Sequence, residues 1–305
     1  MTRTKTGQSV STQLPIPVSH PDKVFWPEEG YTKRDLVEYY HAIFPKLSPY
    51  VQDRILALER CPDGMRGECF FQKKKPASMP PGTRTKRIAH AANPGTSTEY
   101  VVGGSLITQL ALANLGCIAV HVMASRARSP RQPDWVCVDI DPESGKFEHA
   151  VRAGWHVKTA LDALRLSSFV KTSGGRGLHV LVPIRTGPNT DEVLGFAKSF
   201  VGRVAAAHPA ELTVAHSVAA RRGRVYLDPF RNGFGQTVVA PYSVRRRETA
   251  PISTPLEWSE VKSTLVPSAF NLGNVASSLQ RADPWRDFFK NRQSLREASR
   301  LFKKL

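Results

Sequence analysis

Trp135-Val-Cys-Val-Asp-Ile-Asp141 is an apolar run that ends in two acids. It reads as a short buried strand, and because side chains alternate along a strand, Asp139 and Asp141 share one face, roughly 7 Å apart along it. Two like charges beside an apolar strand repel each other and cost stability unless a divalent cation or basic side chains lie between them. Oxygen ligands on a rigid element suit magnesium or manganese, which keep coordination positions free for phosphates. An acidic pair at this spacing also occurs on the solvated face of an edge strand, so this stretch by itself leaves both readings open.

Working outward, the pattern after residue 134 alternates. A helix is predicted over 147–166, a strand over 169–172, a glycine-rich turn, and a strand over 178–183. A long helix follows with Val193, Phe196, Phe200, Val201 and Val204 on one face, and then a strand over 225–228. Alternation of this kind argues an α/β or α+β sheet with helices on at least one face. Upstream, Thr32 can cap a helix carrying Leu36, Tyr39, Ile43 and Phe44, with Pro45 near its end. Residues 55–58 read as a strand and 69–93, rich in Pro and Lys, as a loop or irregular sheet. Ser105 caps a helix through Leu115, Gly116 stops it, and 118–122 form the next strand. From Ala282 the chain reads as a basic helix or tail around Trp285, Phe288 and Phe289.

With 305 residues and 41% hydrophobic content, the chain can bury a sizeable core as one domain with two lobes. Forty-three Lys and Arg against 26 Asp and Glu give a formal charge of +17, which favours a polyanionic partner through counterion release. The charge is clustered. Residues 69–98 hold Lys73, Lys74, Lys75, Arg84, Lys86 and Arg87 and no acid, and a group of arginines from Arg221 to Arg247 surrounds Asp228. Cysteines 61, 69, 117 and 137 form no CxxC pair and give no zinc spacing; Cys117 and Cys137 read as buried thiols of a reducing cytoplasm. Residues 1–18 are polar and lack the apolar core of a signal peptide. The longest apolar stretch, 106–124, is interrupted by polar residues, so neither secretion nor membrane insertion is expected.

Lys171-Thr-Ser-Gly-Gly-Arg-Gly177 links two strands, and its glycines would let backbone N–H groups approach an anion. It lacks P-loop spacing, and a plain hairpin turn would also account for the glycines. Tyr226-Leu-Asp228 supplies a third carboxylate at a strand end, before a turn. Three carboxylates holding two cations would lower the pKa of an attacking 3′-hydroxyl and neutralise a leaving pyrophosphate.

Val-Asp-Ile-Asp-Pro at 138–142, Lys-Thr-Ser-Gly-Gly-Arg-Gly-Leu-His at 171–179 and Ala-Pro-Tyr-Ser-Val-Arg at 240–245 resemble the polymerase domain of bacterial ligase D, over about residues 19–258. That family belongs to the archaeo-eukaryotic primase superfamily and works in non-homologous end joining. The resemblance implies an α+β fold with an RRM-like catalytic sheet core packed against a more variable α/β lobe. It makes Asp139, Asp141 and Asp228 the catalytic, metal-binding triad for two Mn2+ or Mg2+ ions. His121, Ser173, Arg176, Arg245 and Arg247 would hold the nucleotide, with Arg221, Arg231 and Gln236 in equivalent stretches. Lys23 and Lys33 resemble a pair that holds a downstream 5′-phosphate, and Phe70 and Phe71 a pair that stacks on template bases. Glu59 stands where the family usually has a further basic residue, so that role would fall to Arg60 or be lost. His121 is followed by Val-Met-Ala where many relatives carry an aromatic.

The division expected is a flexible tail over 1–18, then one primase-polymerase domain. Within it, 19–116 form a DNA-end lobe, 117–258 the catalytic core and 259–305 a basic C-terminal segment. The resemblance implies templated filling of gaps and extension of 3′ ends at double-strand breaks, with ribonucleotides preferred. NTP or dNTP, gapped or recessed DNA, a ligase module and a Ku-type end-binding protein are the expected partners, in a bacterial cytoplasm at the nucleoid. The alternatives are a de novo primase, a metal-dependent nuclease and a non-catalytic end-binding module.

Overall fold

A computed structural model of the chain describes residues 14–90, 93, 95–143 and 145–304. The N-terminal part holds β1 (Val24–Trp26), β2 (Tyr31–Thr32), α1 (Lys33–Val51), β3 (Arg54–Arg60), β4 (Phe70–Gln72), β5 (Thr85–Ala89), β6 (Ser97–Val101) and α2 (Leu106–Asn114). The middle holds β7 (Cys117–Arg126), β8 (Trp135–Pro142), α3 (Phe147–Ala163), β9 (Phe169–Thr172), β10 (Leu178–Pro183) and α4 (Thr190–Ala207). After it come β11 (Leu212–Thr213), α5 (Val218–Arg221), β12 (Val225–Asp228), β13 (Val238–Val239), β14 (Pro255–Leu256), α6 (Val275–Gln280) and α7 (Leu295–Phe302).

Two sheets carry the fold. The larger has strand order β11-β12-β8-β10-β9-β14, antiparallel except between β11 and β12, and the smaller has order β13-β7-β3-β4. Alternation along β8 builds both faces of the larger sheet. Val136, Val138 and Ile140 join α3 and α4 in one core, while Trp135 and Cys137 join a second core with α1, α2 and the smaller sheet. Asp139 and Asp141 continue the Trp135 and Cys137 face, so the acids emerge where the space between the sheets opens.

Local signals account for the element starts. Thr32 caps α1 by accepting from the Asp35 N–H, and the Asp35 carboxylate accepts from the Thr32 N–H at 2.6 Å. Ser105 caps α2, and Gly116 follows it at φ +76°, where an added Cβ would lie 2.8 Å from the Cys61 carbonyl oxygen.

Several expectations are corrected. α1 runs through Pro45 and Pro49 to Val51, because Leu47, Tyr50 and Val51 are buried and tertiary packing outweighs the local cost of proline. Residues 69–93, expected as a loop or irregular sheet, take the second form, with the short strand β4 and the hairpin strand β5. The C-terminal stretch is no tail: Trp285 and Phe288 are buried against Tyr50, Trp135 and Phe169, and the Trp285 indole donates to the Val170 carbonyl at 3.1 Å. Of the expected flexible tail, residues 1–13 lie outside the described residues, whereas Leu14, Ile16 and Val18 pack on the core. The smaller sheet pairs β3 with β7, so it spans the expected lobe boundary at 116 and 117. Cys61 and Cys69 form a disulfide, a pairing their sequence spacing did not suggest, and Cys117 and Cys137 are free buried thiols. Among the described residues no helix is long and apolar enough to cross a membrane.

Replacing Trp285 by Ala should cost about 3–5 kcal/mol, as deletion of a large buried aromatic does. Denaturant unfolding of the variant measures it, and a loss under 1 kcal/mol would show that the C-terminal segment is not part of the core.

Candidate active site

Strand register places the chemistry. Asp228 on β12 lies directly opposite Asp139 on β8, Asp139 opposite His179 on β10, and His179 opposite Lys171 on β9. Tyr226 stands opposite Asp141 in the neighbouring row. Facing them, the smaller sheet brings His121 from β7 and Phe71 from β4, whose rings meet edge to face with centroids 5.3 Å apart. The two sheets enclose a cleft of about 580 Å³, lined mainly by polar side chains.

Of the residues expected from sequence, Asp139, Asp141, Asp228, His121, Ser173, Arg176, Arg221, Arg231, Arg245, Arg247 and Phe71 all line this cleft. Gln236 is exposed in the turn before β13, and its neighbour Thr237 lines the cleft in its place. Phe70, one position from Phe71 on β4, has the Arg60 guanidinium 5.5 Å over its ring. Both phenylalanines are exposed, at 41% and 61%, so neither belongs to the core.

Arginines neutralise the carboxylates. Arg231 Nε lies 3.1 Å from Asp139 and 3.5 Å from Asp228, and Arg221 Nη1 lies 3.1 Å from Asp141. Asp139 and Asp228 are 16% and 14% exposed, and Asp141 is 42% exposed, so the first two form the floor and the third the rim. Burial pushes the Asp139 carboxyl up, but the His179 and Arg231 contacts outweigh it and hold the group below the usual carboxylate range. Asp228 is raised, chiefly by burial, with the Asp139 charge adding to it.

His179 and Lys171 were not among the expected site residues. The His179 Nε2 lies 3.3 Å from Asp139 Oδ1, and Lys171 Nζ lies 2.8 Å from His179 Nδ1 and 2.5 Å from Ser253 Oγ. A carboxylate can only accept, so Nε2 carries the proton toward Asp139, Nδ1 is left as an acceptor, and Lys171 donates to it. Burial and the neighbouring Lys171 charge push His179 down to about 4, and burial pushes the Lys171 amine down to about 7. The sequence signal was a lysine inside an otherwise apolar strand, with a histidine placed just after the glycine turn.

The glycine turn differs from an open anion nest. The Ser173 hydroxyl accepts from the Gly175 and Gly177 N–H groups at 3.1 and 3.2 Å, which leaves its own proton to donate into the cleft. Gly177 is needed for close approach, since an added Cβ would lie 2.0 Å from the Ile140 carbonyl oxygen. Arg245, in the segment after β13, holds this turn by donating to the Ser173 carbonyl at 3.1 Å. His121 is half-buried with its Nε2 inaccessible; burial first and the Arg245 charge second hold it well below its ordinary pKa, and that Nε2 has no hydrogen-bond partner among the described residues. Asn232 fixes the turn that carries Arg231: its buried amide accepts from the Cys137 N–H at 2.8 Å and donates to the Cys137 and Pro229 carbonyls at 2.7 Å.

The expected phosphate-binding residues lie outside the cleft. Lys23 and Lys33 are brought together by the β1–β2 pairing, where the Lys33 N–H donates to the Lys23 carbonyl at 2.8 Å. Lys23 pairs with Asp63, and the buried Lys33 donates its ammonium to the Ser19 carbonyl at 2.7 Å; burial, and then the Lys23 charge, lowers its pKa. The Arg60 guanidinium is engaged by the Leu115 carbonyl and Gln72. Glu59 is buried and pairs with Arg246 at 3.0 Å.

Among the described residues no three His, Cys, Asp or Glu side chains are gathered as an ion-holding group as they stand, and Arg231 and Arg221 pair with the carboxylates. The donor set nonetheless fits a hard divalent cation: the acids are oxygen donors only, on adjacent strands, facing one cleft.

A carboxylate floor under an arginine rim, on an α+β sheet of this order, is the donor set that metal-assisted phosphoryl transfer uses. Comparison with known proteins makes the family specific. The family described as LigD, primase-polymerase domain, matches residues 32–285, and the chain belongs to it. The multifunctional non-homologous end joining protein LigD of Pseudomonas aeruginosa is 30% identical over 96% of this chain and 35% of its own length. The bifunctional LigD of Bacillus subtilis is 30% identical over 89% and 44%. The chain thus spans under half the length of these relatives. A solved polymerase domain from Mycobacterium tuberculosis ligase D in complex with DNA shares the fold, with a TM-score of 0.83 at 24% identity, over 91% of this chain and 99% of that one. The family implies divalent-metal dependence in general.

Two outcomes test the site's construction. Lys171 titrates lower in the folded protein than in the unfolded chain, so between about pH 7 and its ordinary 10.5 the unfolded chain binds the extra proton and stability rises with pH. Lys171→Met should flatten that rise in denaturant midpoints; an unchanged slope would refute the assignment. Asn232→Ala should cost about 2–3 kcal/mol, because it strands buried backbone groups of β8 and the Arg231 turn. Denaturant unfolding reads the cost.

Proposed function

We propose that the cleft performs template-directed nucleotidyl transfer at DNA ends and short gaps, filling in nucleotides before ligation. The observation that carries this is the register pairing of Asp228 with Asp139, with Asp141 and a rim of arginines in the same cleft. Asp139, Asp141 and Asp228 would hold two divalent ions, manganese or magnesium. When bound, such ions supply activation of the 3′-hydroxyl and charge for the leaving pyrophosphate. His179 orients the Asp139 carboxylate. Arg231 and Arg221, which neutralise the acids here, are free to turn toward a triphosphate once the ions take over that charge. Ser173, Arg176, Arg245 and Arg247 face the same space and suit phosphate oxygens.

His121 presents a neutral imidazole with an unpartnered nitrogen to the cleft, which supports a contact to a sugar hydroxyl and so a preference for ribonucleotides. Phe71, exposed at the mouth, suits stacking on a template base, a contact worth about 1–3 kcal/mol. Lys23, Lys33 and Arg60 would receive a downstream 5′-phosphate only by exchanging their present acceptors, and Lys23 is the most accessible of them for that role. Gapped or recessed DNA, NTP or dNTP, a ligase module and a Ku-type end-binding protein are the partners of this reading, which places the protein at the bacterial nucleoid.

Primer extension with manganese on a single-nucleotide gap tests it, with and without the downstream 5′-phosphate and with either sugar. Wild type should add a templated ribonucleotide, the phosphate should stimulate addition, and Asp139→Ala/Asp141→Ala should reduce it below detection. Binding without extension would leave an end-binding module, and shortening of the labelled primer would leave a nuclease.

A further inference from the structure

The basic C-terminal segment has no part in the cleft. Helix α7 buries Leu295 and Ala298 and turns Arg296 and Arg300 outward. Two adjoining hollows, of about 470 and 600 Å³, meet at this helix. Between them they are lined by Arg165, Arg185, Arg292, Arg296, Arg300 and Lys304. Among the described residues none of these cations forms an ion pair except Arg292, whose guanidinium lies 3.9 Å from Asp134.

Hydrogen bonds tie together the platform beneath them. Gln293 accepts from the Arg185 N–H at 2.8 Å and donates its own N–H to the Pro183 carbonyl at 3.1 Å. Its side chain exchanges hydrogen bonds with Ser167 at 2.7 and 2.9 Å. This stitches the end of β10, the loop after α3 and the approach to α7 into one surface that holds several like-charged side chains close together, with Glu297 and Glu192 the acids among its lining residues. The surface stands at the far end of the catalytic sheet. From His179 to Arg185 along β10 the chain covers roughly 20 Å at ~3.3 Å per residue.

We propose that this face is a second contact for the sugar–phosphate backbone of double-stranded DNA, separate from the reacting cleft. Arg296 and Arg300, one helical turn apart, are spaced about 6 Å along the axis, and guanidinium groups suit phosphates in fixed geometry. An acidic protein partner is disfavoured because none of the large exposed apolar side chains lies here to anchor an interface. The proposal rests on the polymerase reading only for DNA as the polyanion. Its function would be to hold duplex away from the reacting end.

Fluorescence anisotropy of a blunt mixed-sequence duplex over a potassium chloride series tests it, comparing wild type with Arg165→Gln/Arg296→Gln/Arg300→Gln. Losing three phosphate contacts should make log K against log salt shallower by about 2.7, at about 0.9 per contact. Nucleotide addition at saturating gapped DNA should stay unchanged. Arg185→Gln/Lys304→Gln reads the same surface independently should the triple variant not fold. An unchanged slope and affinity in either variant would overturn the proposal and leave the face to an acidic protein. A shallower slope with no extension by any protein would support this surface while removing the polymerase reading.

Discussion

The Asp139 carboxylate, at the floor of the cleft between Arg231 and His179, is the group around which the rest is arranged. An isolated carboxylate at that depth would protonate or destabilise the fold. Each partner that keeps it ionised needs its own support. His179 has its donor fixed by Lys171, and Lys171 is held by Ser253, whose hydroxyl donates to the Thr172 carbonyl at 2.8 Å. Arg231 sits on a turn clamped to β8 by the Asn232 amide. The turn that carries Ser173 approaches β8 so closely that only glycine fits at position 177. Removing one of these groups leaves a buried polar atom without its partner, so the site is a single connected network.

Charge is distributed by the same logic. Arg54 is fully buried, with Asp134 at 2.5 Å and the Trp135 ring 3.4 Å from its guanidinium, and it fastens the start of β8. Arg221 and Arg231 serve the carboxylates, Arg176, Arg245 and Arg247 face the cleft, and the arginines around α7 face solvent at the opposite end of the sheet. A net charge of +17 therefore resolves into separate clusters at opposite ends of one sheet.

Many elements of the fold were legible in the sequence because their signals are local. Alternation along Trp135 to Asp141, the capping residues Thr32 and Ser105, and the glycine stop after α2 depend on neighbours within a turn or a strand. The misreadings fell where distant contacts override local rules. Pro45 does not end α1 because the buried face continues past it. Trp285 and Phe288 lie in the core because Tyr50 and Trp135 come to meet them. The Cys61–Cys69 disulfide closes the loop between β3 and β4, for which a spacing of eight residues carries no signal.

The sequence by itself determined the chemical elements of the site: the DxD pair, the third acid, the glycine turn and the family resemblance they carry together. Tertiary structure decided which groups touch. Only strand register sets Asp228 beside Asp139, and only that register draws Lys171, distant in sequence from every carboxylate, into the network through His179. Composition and spacing report what a residue can do. Pairing across strands, which depends on the whole sheet, decides on what it acts.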